Sequence, residues 1–277
     1  MSNKDLLENI KRLREITGVG FKDCKSALDE TNGDIEKSIE FLRKKGIAKA
    51  SKKMSRISSE GLVLATEREG KISIIEINSE TDFVAKNKEF ITFCKELSEL
   101  NFTNKGDIEK LNDTKMSNSI TVKENLINLI AKIGEKIIIR RANFFDNSDG
   151  LNFHYVHSAL EKNIGKIISV VKIDGIIEGK NDDVGSKIAM HIAASSPLAL
   201  NVEDIDKNIV DKELEIIKEE VKNSGKPKDM IEKISKGKLS KFLNDNSLMN
   251  QIWIMDPKKK VVDVLKENSR DKDIKIL

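Results

Sequence analysis

The chain has 277 residues, enough for one sizeable core or for two or three small units. Lys and Arg number 49 against 46 Asp and Glu, a net charge of +3, which argues against a protein that binds nucleic acid with its whole surface and leaves only a local basic patch open. Charged residues make up 34% and aromatics 4%, which fits a soluble, largely helical protein with an aliphatic core.

Leu6, Leu7, Ile10, Leu13 and Ile16 recur at helix spacing with charges between them, so the chain opens on an amphipathic helix and not on a signal peptide. Thr17-Gly18-Val19-Gly20 breaks the pattern. A second short helix, Phe21 to about Thr31, turns Cys24, Ala27 and Leu28 inward; Asn32-Gly33 ends it, and Asp34 is placed to cap the next. Ile35, Ile39 and Leu42 make a third stripe, which Gly46 is expected to stop. Residues 1–47 thus read as a small three-helix bundle, a size that usually serves as a docking element. Arg43-Lys44-Lys45, Lys49, Lys52, Lys53 and Arg56 form a basic stretch that runs into an expected linker, 48–60. It reads either as a solvated helix end and linker or as a contact for RNA or an acidic partner. The first is favoured, because no aromatics interleave the charges.

From Gly61 the pattern changes to strands. Leu62 to Thr66 and Ile72 to Ile77 flank Arg68-Glu69-Gly70-Lys71, a hairpin signal. A helix capped by Asn87 follows, with Phe90, Phe93, Cys94, Leu97 and Asn101 on one side. Residues 101–120 read as polar and irregular. Leu126, Leu129, Ile130 and Ile133 make a further helix ended by Gly134, and Ile137 to Ile139 with Arg140 and Arg141 a strand. The scheme then recurs: Phe153 to Ser158 and Ile167 to Ile173 flank Ile164-Gly165-Lys166, and a helix runs from Val184 to Ala194. Two hairpin-plus-helix units are therefore expected, at 61–145 and 146–277. Within the second, Val210, Leu214, Ile217 and Val221 form a short seam, Gly225 and Pro227 a break, and Met230, Ile231, Ile234, Leu239, Phe242 and Leu243 a second helix. Residues 204–245 thus read as an antiparallel helical hairpin that protrudes. Ile252 to Met255 reads as a strand, Val261 to Leu265 as a helix, Asp273 to Leu277 as a last short strand, and Trp253 as core.

Asn78-Ser79-Glu80-Thr81-Asp82-Phe83-Val84-Ala85-Lys86-Asn87 joins a strand to a helix. Phe83 lies off the apolar stripe of that helix, beside acidic Glu80 and Asp82. Two readings fit an aromatic there. Either Phe83 folds under the helix as core, or it points outward as an anchor for a partner's pocket, since aromatics carry much interface energy. Catalytic chemistry has no candidate. His154, His157 and His191 are scattered, and Cys24 and Cys94 are far apart and outside any Cys-x-x-Cys pair, so no metal site, cofactor or catalytic constellation is expected. The cysteine usage fits a reduced, cytoplasmic setting, and no apolar run approaches the ~18 residues of a membrane span. The Gly-Lys pairs at 70–71 and 165–166 lack phosphate-loop spacing.

Thr81-Asp82-Phe83-Val84-Ala85-Lys86 resembles the signature of the elongation factor Ts family, nucleotide-exchange factors of the GTPase EF-Tu. Thr17-Gly18-Val19-Gly20 with Asp23-Cys24-Lys25, Asn32-Gly33-Asp34-Ile35-Glu36, Ile188-Ala189-Met190-His191-Ile192-Ala193-Ala194-Ser195 and Ser224-Gly225-Lys226-Pro227-Lys228 resemble further family segments, in order along nearly the whole chain. The resemblance implies an α+β fold: a three-helix module of the ubiquitin-associated type, then two related subdomains with antiparallel sheets and a helical hairpin. It implies that Asp82 and Phe83 are inserted near the GTPase's nucleotide and displace its magnesium ion, with Thr81 and Val84 shaping the turn. It places a second contact at Ile164 and Gly165, and further contacts at Arg14, Phe21, Lys22 and His191. Phe21 and Lys22 stand where methionines are common, and Lys187 stands where the family's helix carries its first histidine. For His191 a core-edge position fits equally. The resemblance implies EF-Tu as partner, no direct nucleic acid and no membrane. A homodimer and a 2:2 complex with EF-Tu both remain open. A scaffold working through the three-helix module, or an RNA-binding accessory protein working through the basic stretch, are the alternatives.

Overall fold

The computed structural model describes residues 3–17, 19–175, 182–222, 228–269 and 274–277. The chain divides into two compact units. The first comprises Met1–Arg68, Ile72–Phe144 and Ala159–Lys166, and the second Glu69–Lys71, Phe145–Ser158 and Ile167–Leu277.

The first unit begins with three helices, α1 (Asn3–Thr17), α2 (Phe21–Glu30) and α3 (Ile35–Lys53). Ile10, Leu13, Cys24, Ala27, Leu28 and Leu42 close a small core between them. Asp34 caps α3, its carboxylate accepting the Lys37 N–H at 3.0 Å. The stop expected at Gly46 is not made: α3 runs on to Lys53, so residues 48–53 are helical. The reason is tertiary. Gly46 is buried against α7 (Val122–Ile133), where an added Cβ would lie 3.4 Å from the Ala131 side chain. A residue without a side chain lets two helices approach closely, and that packing outweighs its poor helix propensity of about 1 kcal/mol.

β1 (Glu60–Arg68) and β2 (Lys71–Ser79) follow, then the one-turn helix α4 (Asp82–Ala85) and α5 (Lys88–Thr103). Asn87 caps α5 by accepting from the Glu89 and Phe90 amides. The apolar stripe lands as its spacing predicts, with Phe90, Phe93, Cys94, Leu97 and Asn101 all buried against Leu62, Leu64, Ile75 and Ile77 of the strands. Asn101 is tolerated there because its side-chain amide donates to the Ile74 carbonyl at 3.1 Å. The stretch expected to be irregular, 101–120, contains the end of α5 and a short helix α6 (Ile108–Asp113), capped by Asp107 and plugged into the core by Leu111. α7 ends on Gly134 at φ 86°, a left-handed stop that glycine adopts without strain. β3 (Ile137–Phe145) completes the run, and the sheet is ordered β3-β2-β1-β5, where β5 is only Ile164–Gly165.

The second unit holds β4 (Leu151–His157), β6 (Ile167–Asp174) and β7 (Lys275–Ile276) in the order β4-β6-β7, both pairings antiparallel. α8 (Asp182–Ser195) packs on this sheet through Val184, Ile188 and Ala189, against Val171 and Ile173. Gly185 is the contact point: a Cβ there would sit 2.3 Å from the Phe153 ring. α9 (Lys207–Lys222) and α10 (Lys228–Asn246) lie side by side, with Ile217 and Val221 buried. The expected break at Gly225 and Pro227 lies outside the described residues, as do Gly18, Asp273 and most of the Ser224–Lys228 motif. The strand expected at Ile252 to Met255 is not formed. Trp253 is held inside a closed loop, its backbone N–H donating to the Lys259 carbonyl at 2.8 Å, and only Ile252 makes a bridge, to Lys260. α11 (Val261–Asn268) then closes the core with Val261, Val264 and Leu265.

Candidate functional site

The signature stretch lies in the first unit. β2 ends at Ser79, and Thr81 is fully extended (φ −126°, ψ 159°) before the single turn of α4. That turn divides its residues by direction. Val84 and Ala85 are 4% and 3% exposed and belong to the core, whereas Phe83 is 76% exposed. Of the two readings of Phe83, burial beneath the helix is therefore not what the chain adopts. Val84 is the peg that fixes which way the turn faces.

The turn is also tied by polar contacts. The Thr81 N–H and hydroxyl donate to the two carboxylate oxygens of Glu135, at 3.0 and 2.8 Å. The Ser79 hydroxyl donates to the Thr81 carbonyl at 2.9 Å. Asp82 accepts from the Lys86 ammonium at 2.8 Å, one helical turn on. That bond, helped by the positive charges of Lys86 and Lys166, holds the Asp82 carboxyl below the usual carboxylate range, and the same bond raises Lys86. Lys166 is itself paired with Glu60 at 2.7 Å. The exposed aromatic thus stands among charges of both signs that are already paired.

The other expected contacts distribute differently. Arg14, Phe21 and Lys22 are exposed on α1 and α2, with Phe21 at the first position of α2. Ile164 and Gly165 are buried: they pair with Leu64 and Val63 of β1, and Ile164 is part of the core. The side chain offered to solvent beside them is that of Lys166. His191, in the second unit, is fully buried. Its Nε2 lies 3.0 Å from Gln251 Oε1, its Nδ1 accepts the Ile254 N–H at 3.4 Å, and its ring stacks on Trp253. Burial pushes its pKa down, which the Gln251 bond partly offsets. In this conformation His191 presents no atom to solvent, and its contacts are internal.

The basic stretch is largely committed within the chain. Arg43 binds Glu124, Lys44 binds Glu40, Lys45 and Lys49 share Asp23, Lys53 donates to the Gly134 carbonyl and Arg56 binds Glu80. Among the described residues no group of three or more His, Cys, Asp or Glu could hold a metal ion, and no helix is long and apolar enough to cross a membrane.

Glu135, Lys166 and Gln251 are absent from the expected set. Glu135 follows a glycine helix stop in a tight helix-to-strand connection, a place where a carboxylate often bonds backbone. Its partner is 54 residues away and carries no local signal.

Residues 80–276 match the family model described as Elongation factor TS. Elongation factor Ts of Maricaulis maris is 39% identical over 268 residues, covering 95% of this chain and 85% of that protein. Elongation factor Ts of Methylorubrum populi is 42% identical over 261 residues, 93% and 84% of the two chains. Elongation factor Ts of Rhodospirillum rubrum is 39% identical over 265 residues, 95% and 86%.

Proposed function

This chain belongs to the elongation factor Ts family, and from that membership we propose that it binds EF-Tu·GDP and speeds exchange of GDP for GTP by lodging the Asp82–Phe83 turn beside the nucleotide and its magnesium ion. A GTPase of this kind holds GDP through phosphate-loop amides and a magnesium ion that bridges phosphate and protein oxygens. Those contacts must open together, so GDP leaves slowly. A factor that binds the GDP-free or magnesium-free form more tightly weakens GDP, and by linkage GDP weakens the factor by the same ratio. No covalent step is needed. Exchange runs both ways, and the excess of GTP sets its direction.

One observation carries the reading. Phe83 is 76% exposed on a turn whose flanks are fixed by Val84 in the core and by Thr81 on Glu135. A large aromatic left in water on a rigid turn is the geometry of an interface anchor. The cost of ordering it is met in folding, not on binding. Asp82 brings a carboxylate to the same point, and its exchange of Lys86 for a cation on the partner costs little at an exposed site. Arg14, Phe21 and Lys22 dock the three-helix module, of the ubiquitin-associated type, on the same GTPase. Ile164 and Gly165 act by placing Lys166.

The test is release of a fluorescent GDP from EF-Tu with the chain added. Micromolar chain accelerates release under this reading, with no nucleotide hydrolysed. An unchanged release rate overturns it.

A further inference from the structure

Two dipeptides distant in sequence grip each other at the base of the Phe83 turn. Glu135 takes the Thr81 N–H and hydroxyl, at 3.0 and 2.8 Å. In return Glu80 takes the Lys136 N–H at 2.6 Å. Each carboxylate thus satisfies the backbone amide that follows the other. The outer ends are closed as well: Arg56 Nη1 lies 3.2 Å from both Glu80 oxygens, and the Lys136 ammonium donates to the Arg56 carbonyl at 2.7 Å. The Lys136 amide bond, followed by the Arg56 pair, holds Glu80 below the usual carboxylate range, so it is ionised at neutral pH.

We propose that Glu135 is a positioning residue for nucleotide exchange: with Glu80 as its reciprocal partner, it fixes the entry to α4 so that Phe83 is aimed before the GTPase arrives. This rests on the exchange role given to the Asp82–Phe83 turn. Thr81 is the N-cap of α4, yet its side chain makes no capping bond to the helix; its hydroxyl is spent on Glu135 instead. A helix of four residues cannot hold its own direction, because one turn fixes several dihedrals for almost no hydrogen bonding. Direction must come from outside the helix. Val84 and Ala85 supply it on the core side, and Glu135 at a second point. Two points fix an axis where one leaves a swivel. Carboxylate-to-amide bonds are charge-assisted, stronger than neutral ones and directional, which suits them to this task. Neither carboxylate need touch nucleotide or magnesium.

The consequence is an exchange factor whose anchor is ordered in advance. Without Glu135 the turn would sample other directions, and the productive one would be selected at binding, so apparent affinity falls by the fraction of time the turn is aimed. The loss should appear as a higher half-saturating concentration, with the maximal rate nearly intact.

The experiment compares Glu135→Ala, Glu135→Gln, Thr81→Val and Phe83→Ala with wild type. GDP release from EF-Tu is measured over a range of factor concentration, with melting temperature and the hydrogen-exchange rate of the Thr81 amide. Glu135→Ala should raise the half-saturating concentration about tenfold, keep the maximal rate within about twofold and speed Thr81 amide exchange. Glu135→Gln should fall between, since its one remaining oxygen can accept only part of the Thr81 pair. Thr81→Val, which keeps the backbone bond and loses the hydroxyl, gives a milder rise and serves as the probe if Glu135→Ala does not fold. A lowered melting temperature with unchanged exchange per folded molecule, while Phe83→Ala is defective, would overturn the positioning role and leave the anchor standing. Normal exchange by Phe83→Ala would remove the anchor, and the positioning role with it.

Discussion

The imidazole of His191 lies nearly parallel to the indole of Trp253, ring centroids 5.2 Å apart and planes at 21°. One face of the histidine is covered by the only tryptophan, and both ring nitrogens are engaged, by Gln251 and by the Ile254 amide. α8 is thereby fastened to the loop that carries Trp253, with the Gln251 amide reaching on to the Ser195 and Asp245 carbonyls.

Replacing His191 with Ala should destabilise the second unit by about 2–4 kcal/mol, from the cavity and the stranded Gln251 oxygen. Denaturant unfolding measures it. Activity per folded molecule should be unchanged, which separates an internal role from a contact with EF-Tu.

The same group predicts a pH dependence. Burial depresses the folded pKa of His191 below the ordinary value of 6.5. The unfolded chain therefore takes up its proton first. Stability from this site is whole above pH 6.5 and is lost as pH falls from 6.5 toward the folded pKa, with a slope of at most about 1.4 kcal/mol per pH unit. In His191→Gln that slope should be missing from the pH profile of unfolding.

Gly185→Ala should cost roughly 1–3 kcal/mol, because the new methyl meets the Phe153 ring at 2.3 Å and the helix must lift off the sheet. Pairing it with Phe153→Leu should recover part of the loss in a double-mutant cycle; full additivity would place the strain elsewhere.

Asp82→Asn removes an exposed partner of Lys86 and should leave the melting temperature unchanged. Exchange on EF-Tu should slow, and its sensitivity to salt should weaken. Because the Asp82 carboxyl titrates below its ordinary value, exchange by the wild type should show no step from this group near neutral pH.

Periodicity carried much of this architecture. The stripe of α5, the Asn87 cap and the Gly134 stop are local patterns, and each forms as its spacing requires. What escaped was set by distant contacts. Gly46 reads as a stop unless Ala131 is known to lie against it. β5 is two residues long, too short for any pattern, and exists because β1 pairs with it. Ile252 to Met255 is a continuous apolar run, as a buried strand can be, but it has no ladder beyond one bridge. In the site, residue type alone could not orient Phe83, because the burial of Val84 and Ala85 decides it. The family resemblance named Ile164 and His191, and both are enclosed. Glu135 was invisible for the opposite reason: its position is local, but its purpose lies across the fold.

The most direct measurement of the central claim is made on Phe83→Ala, with GDP release from EF-Tu and denaturant unfolding read on one preparation. An anchor lost from the interface should cost on the order of 2 kcal/mol in binding and slow exchange about tenfold or more. Unfolding should stay within about 1 kcal/mol of wild type, because a side chain 76% exposed leaves no cavity. A variant that is strongly destabilised, or one that exchanges nucleotide at the wild-type rate, would contradict the account.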